Sequence, residues 1–142
     1  MWGPPTWFFL HSLGEVINPN HYLTVKDELW KHIIELCSSV PCPECSSHAH
    51  SYLSKIPVPP TKDSFCGALW VFHNQVNQQT GKPFFPREKL NIYRIPIMLT
   101  FPLYKNAMKQ QPYNPMLMIH KMKTRKSVDA TEKWLKQNKF II

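Results

Sequence analysis

The chain has 142 residues, enough for one domain with a buried core. Its apolar fraction of 43% and its five Trp, five Tyr and eight Phe exclude disorder throughout. The net charge of +8 is local: Lys89 to Val128 holds eight Lys or Arg and no acid, whereas the rest carries nine residues of each sign.

Such a segment suits an anionic partner, whether nucleic acid, a membrane surface or an acidic protein. A solvated basic face explains it with fewer assumptions, because charge alone carries little specificity, and nucleic-acid or membrane contact through residues 89–128 is not favoured. The longest apolar stretch, Ile95 to Tyr104, is broken by Pro96 and Pro102 and falls short of the roughly 20 residues a bilayer span needs. Four cysteines are too few for a disulfide-stapled secreted scaffold, and no signal-peptide pattern opens the chain. The expectation is a soluble intracellular protein, in which a stable disulfide would be catalytic.

Fourteen prolines and four glycines, with the prolines between apolar segments, predict helices joined by Pro-marked loops. The first helix begins at Pro4 or Pro5 and ends near Ile17. A second starts at Thr24, three residues before Asp27, with an apolar stripe of Val25, Leu29, Ile33, Leu36, Cys37 and Val40. The third follows Pro43 and reaches Lys55; Ile56 to Pro60 is an extended linker. The fourth starts at Asp63 or Ser64 and ends at Gly81, a C-terminal cap. A short fifth helix spans Arg87 to Ile95, Pro96 to Pro115 reads as irregular, and a last amphipathic helix runs from Val128 to Lys139. No alternating strand pattern appears. The fold class is therefore all-α.

Three groups of residues carry chemistry. Cys42-Pro43-Glu44-Cys45 sits at a predicted helix start, where the helix dipole and free N–H groups favour a thiolate. The pair suits a small reducible disulfide. Together with His48 and His50 it also suits a zinc site, although two histidines two apart on one helix point in different directions. A plain structural role is a third reading. Next, His73, Asn74 and Asn77 share a helical stripe with Trp70. They form either an exposed polar face or the wall of a site for a planar ligand with polar edges, since buried polar groups need partners. Trp7 and His11, four apart, repeat the pairing on the first helix, and Lys82 stands just past the fourth as a cation for a phosphate. Cys37 and Cys66 read as small buried thiols, with a bond between them left open.

In order and spacing, Trp2-Gly3-x-x-Thr6-Trp7-x-x-Leu10-His11, Cys42-Pro43-Glu44-Cys45-x-x-His48 and Trp70-x-x-His73-Asn74-x-Val76-Asn77 leading to Gly81-Lys82-Pro83 resemble the Erv/ALR family of FAD-linked sulfhydryl oxidases. The likeness is greatest to the compact versions carried by large DNA viruses. It covers residues 1–95 as an oxidase domain and leaves 96–142 as a basic C-terminal extension, packed on that domain or docking from it.

The resemblance implies a four-helix bundle with a short fifth helix, FAD beside the Cys-x-x-Cys, and a homodimer. It implies that Cys42 and Cys45 are catalytic. It also implies that Gly3, Thr6, Trp7, His11, His48, Trp70, His73, Asn74, Val76, Asn77 and Lys82 bind FAD, with no metal. Electrons would enter at Cys42 from a dithiol protein, such as a small thioredoxin-like partner. They would pass through Cys45 to FAD and then to molecular oxygen, giving hydrogen peroxide. In that picture Cys42 is the more exposed cysteine and Cys45 faces inward. A viral source would place the protein in the host cytoplasm and the virion. The competing expectation is a zinc- or nucleic-acid-binding helical module built on Cys42, Cys45, His48 and His50.

Overall fold

The computed structural model describes residues 1–142. Six helices follow in chain order: α1 (Gly3–Val16), α2 (Pro19–Cys37), α3 (Pro43–Leu53), α4 (Lys62–Thr80), α5 (Ile97–Lys109) and α6 (Met118–Gln137). Short 3-10 helices occupy Arg87–Tyr93 and Pro115–Leu117, and there is no strand.

The helix starts follow local chemistry. Pro4 and Pro5 occupy the first turn of α1, where a missing N–H costs nothing. Thr61 and Ser64 form a reciprocal capping box at α4, and Gly81, at φ +71°, closes its end in the left-handed region. At Arg87–Tyr93 the expected fifth helix is present as a 3-10 helix.

Three boundaries differ from expectation. Helix α2 starts at Pro19, five residues before Thr24. The Asn18 side chain caps it by accepting from the N–H groups of Asn20 and His21, so the link from α1 is a tight turn. Thr24 lies inside the helix and its hydroxyl donates to the Asn20 carbonyl. Helix α6 starts ten residues before Val128. Its first half faces inward with His120 and Thr124, small or polar residues that leave no apolar stripe to read.

The third difference is α5, in a region that reads as irregular. Ile97, Thr100, Phe101, Tyr104 and Met108 recur at helical spacing and are buried, although Pro102 lies within the helix. An interior proline costs about 3 kcal/mol. Burying large apolar side chains such as Phe101, Tyr104 and Met108 returns roughly 1.5–3 kcal/mol each, so packing wins.

One hydrophobic cluster of 23 buried residues runs through the molecule, from Phe9 on α1 to Leu135 on α6. Helix α5 lies along α1, where Phe9 stacks on Tyr104 at 4.9 Å between ring centres and Ser12 bonds Thr100 at 2.8 Å. Helix α6 lies along α2 and the turn after it through polar pairs: Trp134 Nε1 donates to Glu28 at 2.6 Å, His32 pairs with Thr131 at 3.1 Å, and Ser39, just past α2, donates to Ser127 at 2.8 Å. The linker before α4 is tied to α2, since Tyr22 donates to the Pro59 carbonyl and Trp30 to that of Ile56. The inner ends of α1, α3 and α4 remain facing one another, and there the site lies.

Candidate functional site

Cys42 is the N-cap of α3, with Pro43 in its first turn. Its sulfur accepts the N–H of Cys45 at 3.2 Å, and the two cysteines are joined as a disulfide with Cα atoms 5.2 Å apart. This position puts a sulfur against the positive end of a helix. The Ser46 hydroxyl, shared between the carbonyls of Val40 and Cys42, fixes the turn leading into it.

The relative exposure of the two cysteine residues is the reverse of the expectation. Cys42 is half-buried and Cys45 is exposed. The reason is that Cys45 faces an open cavity of about 330 Å³ rather than a packed core. That cavity is walled by Gly3, Thr6 and Trp7 from α1, Cys45 and Ala49 from α3, Phe72 and Val76 from α4, and Lys82 beyond it. Cys42 is not part of its lining. A second, larger hollow of about 640 Å³ lies on the other side of Lys82, lined by Tyr52, Trp70, Asn74, Asn77 and Phe84. His48 borders a third, with Tyr52, Lys55, Gln75 and Gln79.

His11 and His73 lie behind Trp7. Their ring nitrogens are hydrogen-bonded at 2.9 Å, so one is a donor and the other an acceptor. Trp7 stacks on His73 at 4.0 Å, and Phe85 and Tyr93 close the layer against His73 and His11. Burial, reinforced by the charge of His73, lowers the His11 pKa to about 3. Burial and then nearby Lys82 lower that of His73 to about 4. Both rings are neutral at pH 7, which lets them share the hydrogen bond while each stacks on Trp7.

The amides on α4 hold the following loop. Asn77 donates to the Pro83 carbonyl at 3.0 Å, Asn74 pairs with both backbone groups of Phe85, and Trp70 Nε1 also donates to the Phe85 carbonyl. These three residues therefore set the position of Lys82. Cys37 and Cys66 are free. Burial pushes the Cys37 thiol up to about 12, and burial with Glu15 nearby pushes Cys66 to about 11, so neither is a thiolate at neutral pH.

Chemically, the arrangement brings a reducible sulfur to the edge of a flat, aromatic-walled cavity with one lysine at its rim. A flavin dinucleotide fits these features. Its planar head suits the space between Trp7, Phe72 and Val76 beside Cys45, and its extended phosphate-bearing body suits the hollow beyond Lys82. A zinc site does not fit. No three His, Cys, Asp or Glu side chains converge, and Cys42 and Cys45 are bonded to each other. His50 instead bonds Ser38 at 3.1 Å.

Several lining residues escape the motif spacing: Ala49, Tyr52 and Phe72. Tyr52 stands one turn beyond His48 and Phe72 one turn before Val76, so helical periodicity is the signal that would have found both.

Comparison with known proteins agrees with this geometry. The model of the Erv1 / Alr family matches residues 4–95. The FAD-linked sulfhydryl oxidase of African swine fever virus is 33% identical over 101 residues, 70% of this chain and 85% of that protein. The mitochondrial FAD-linked sulfhydryl oxidase erv1 of Schizosaccharomyces pombe is 27% identical over 86 residues, 58% of this chain and 47% of its own. The FAD-linked sulfhydryl oxidase ERV1 of Oryza sativa subsp. japonica is 30% identical over 91 residues, 63% and 46% of the two chains. No solved structure matches the chain. The chain belongs to the Erv1 / Alr family.

Proposed function

We infer that this chain is an FAD-linked sulfhydryl oxidase that makes disulfides in dithiol proteins. The observation that carries the reading is the Cys42–Cys45 disulfide with Cys45, and not Cys42, lining the cavity between Trp7, Phe72, Val76 and Lys82.

A thiolate of the substrate attacks the Cys42 sulfur. The bond between Cys42 and Cys45 breaks, Cys45 leaves as a thiolate, and a mixed disulfide forms. The second substrate thiol, deprotonated, then displaces Cys42. The products are a substrate disulfide and a reduced Cys42–Cys45 pair, a transfer of two electrons. The N–H of Cys45 and the positive end of α3 favour Cys42 as the leaving thiolate in this second step. FAD, when bound, would supply the two-electron acceptor for the reduced pair, with oxygen as the final oxidant and hydrogen peroxide as the product. Trp7, Thr6, Gly3, Val76 and Lys82 would hold its flat head; Trp70, Asn74 and Asn77 position the lysine loop; His48 would lie along the outer track. His11 and His73 back the wall formed by Trp7.

Electrons enter directly at Cys42, because Cys37 is buried and Cys66 is packed against Gly14. The substrate is a dithiol protein of thioredoxin-like size, met inside the cell, and for a viral owner in the host cytoplasm and the virion. No helix is long and apolar enough to cross a membrane. A homodimer would pack on α5, whose Met98, Leu99 and Leu103 stand exposed.

The purified protein is expected to be yellow, with a flavin spectrum, and to consume oxygen with dithiothreitol. Cys42→Ser keeps the colour and loses the oxygen consumption. A colourless protein carrying stoichiometric zinc would overturn the reading.

A further inference from the structure

The first half of α6 and the segment before it are not needed for the chemistry, yet they border the disulfide. His120 Nε2 lies 2.6 Å from the Val40 carbonyl and 3.5 Å from the Ser46 hydroxyl, the group that fixes the turn at Cys42. A small cleft separates Pro41 from Leu117 and Lys121. From this place the chain presents Tyr113, Met116, Ile119 and Met122 to solvent, at 68%, 89%, 85% and 63% exposure. Four large apolar side chains in ten residues are more than an unpartnered surface usually leaves in water. Two are methionines, whose flexible thioethers adapt to varied partners.

The charge has the same address. Lys105 and Lys109 are neutralised by Glu132 and Asp129, and Arg94 by Glu15. Lys121, Lys123, Arg125 and Lys126 have no acidic partner. Most of the basic segment's uncompensated charge therefore lies on α6 around the apolar residues.

Resting on the oxidase reading, we propose that Tyr113, Met116, Ile119 and Met122, rimmed by the α6 cations, are the docking surface for the substrate protein. That substrate is an acidic protein whose dithiol is set in apolar surface. The occupant follows from geometry. A substrate sulfur must come within bonding distance of Cys42. A protein partner of ordinary footprint covers about 800 Å² on each side, a disc of about 16 Å radius. Centred on Cys42, that disc includes the segment that touches Val40 and Pro41. The apolar residues supply contact area, and the cations steer an acidic partner and exclude a basic one.

The test uses the full-length, flavin-loaded protein and oxygen consumption. Its probes are dithiothreitol and two reduced peptides with the same Cys-x-x-Cys, one flanked by Glu and Leu and the other by Lys and Leu. The wild-type protein is expected to show a KM for the acidic peptide about tenfold or more below that for the basic one, a preference that salt erodes. The triple variant M116E/I119E/M122E is expected to raise the acidic-peptide KM about tenfold and leave the dithiothreitol rate unchanged. Equal use of both peptides by the wild type, or equal loss with dithiothreitol in the variant, overturns the proposal. So does a fall in the protein's mass in solution on substitution, which assigns the surface to a second copy, or binding of the wild type to phosphatidylserine vesicles that the substitutions abolish. A wild-type protein unable to oxidise dithiothreitol overturns the oxidase reading itself, a distinct result.

Discussion

At the scale of single residues, the site depends on two histidines kept neutral by burial. His11 and His73 share a hydrogen bond and stack within a layer of aromatic rings. In the unfolded chain both titrate near the ordinary value of 6.5; in the folded protein they hold off protonation to about 3 and about 4. As pH falls below 6.5 the unfolded chain takes up protons that the folded one does not, so stability present above 6.5 is lost progressively toward pH 4. Thermal unfolding across pH 4 to 7 is expected to show a midpoint that drops with acid. His11→Gln, which can still bond His73, is expected to flatten that drop. An equally steep curve in the variant would show that other groups carry the acid sensitivity.

At the scale of elements, α5 shows a local rule overridden by packing. Pro102 removes the N–H that would reach the Met98 carbonyl, yet the helix persists because Phe101, Tyr104 and Met108 fit against α1 and the rest of the core. Pro102 is itself exposed and outside the buried cluster, so replacing it leaves the core packing in place. Pro102→Ala is expected to stabilise the protein by about 1–3 kcal/mol in urea unfolding, with flavin content and oxidation rate unchanged. A loss of stability would mean that the proline's restriction of the unfolded chain outweighs the missing bond. Helix α6 is divided: its second half buries Val128, Trp134 and Leu135 in the core, but the inner face of its first half is polar, with His120 and Thr124. It is held to α2 by Trp134 to Glu28 and His32 to Thr131, and to the turn after α2 by Ser39 to Ser127. The first half of the helix therefore has no apolar period to read.

At the scale of the whole molecule, the family-like part and the extension share one core. Phe101, Tyr104, Met108, Val128, Trp134 and Leu135 pack in the same cluster as Phe9, Leu13, Leu29 and Ile33. Truncation after Arg94 removes seven of the 23 buried residues, Ile97 among them, and uncovers the faces of α1 and α2 that they protect. The truncated chain is expected to aggregate or to bind a hydrophobic dye, with its thermal midpoint lowered or its cooperative transition lost. A soluble, cooperatively folding fragment would show that the first 95 residues carry their own stability.

The sequence by itself determined the features that act over a few residues. Prolines at helix starts, Gly81 at the end of α4, and Cys42 at the head of α3 follow from backbone chemistry within one turn and are legible as such, whereas the Thr61 cap, two residues before the expected start of α4, is not among the expectations. The motif order around Trp7, Cys42 and His73 likewise carried the family and the chemistry of the disulfide. Tertiary structure alone decided what depends on distant partners. It made a helix of 97–109 by offering α1 as a surface, and it set Asn74 and Asn77 to holding the Lys82 loop. It also turned Cys45 toward an open cavity while leaving Cys42 beside the segment that ends in α6. The physical reason is range: capping and backbone restriction act between neighbours in the chain, whereas burial and cavity shape are set by residues 60 to 100 positions apart, as in the pairs of His11 with His73 and Ser12 with Thr100.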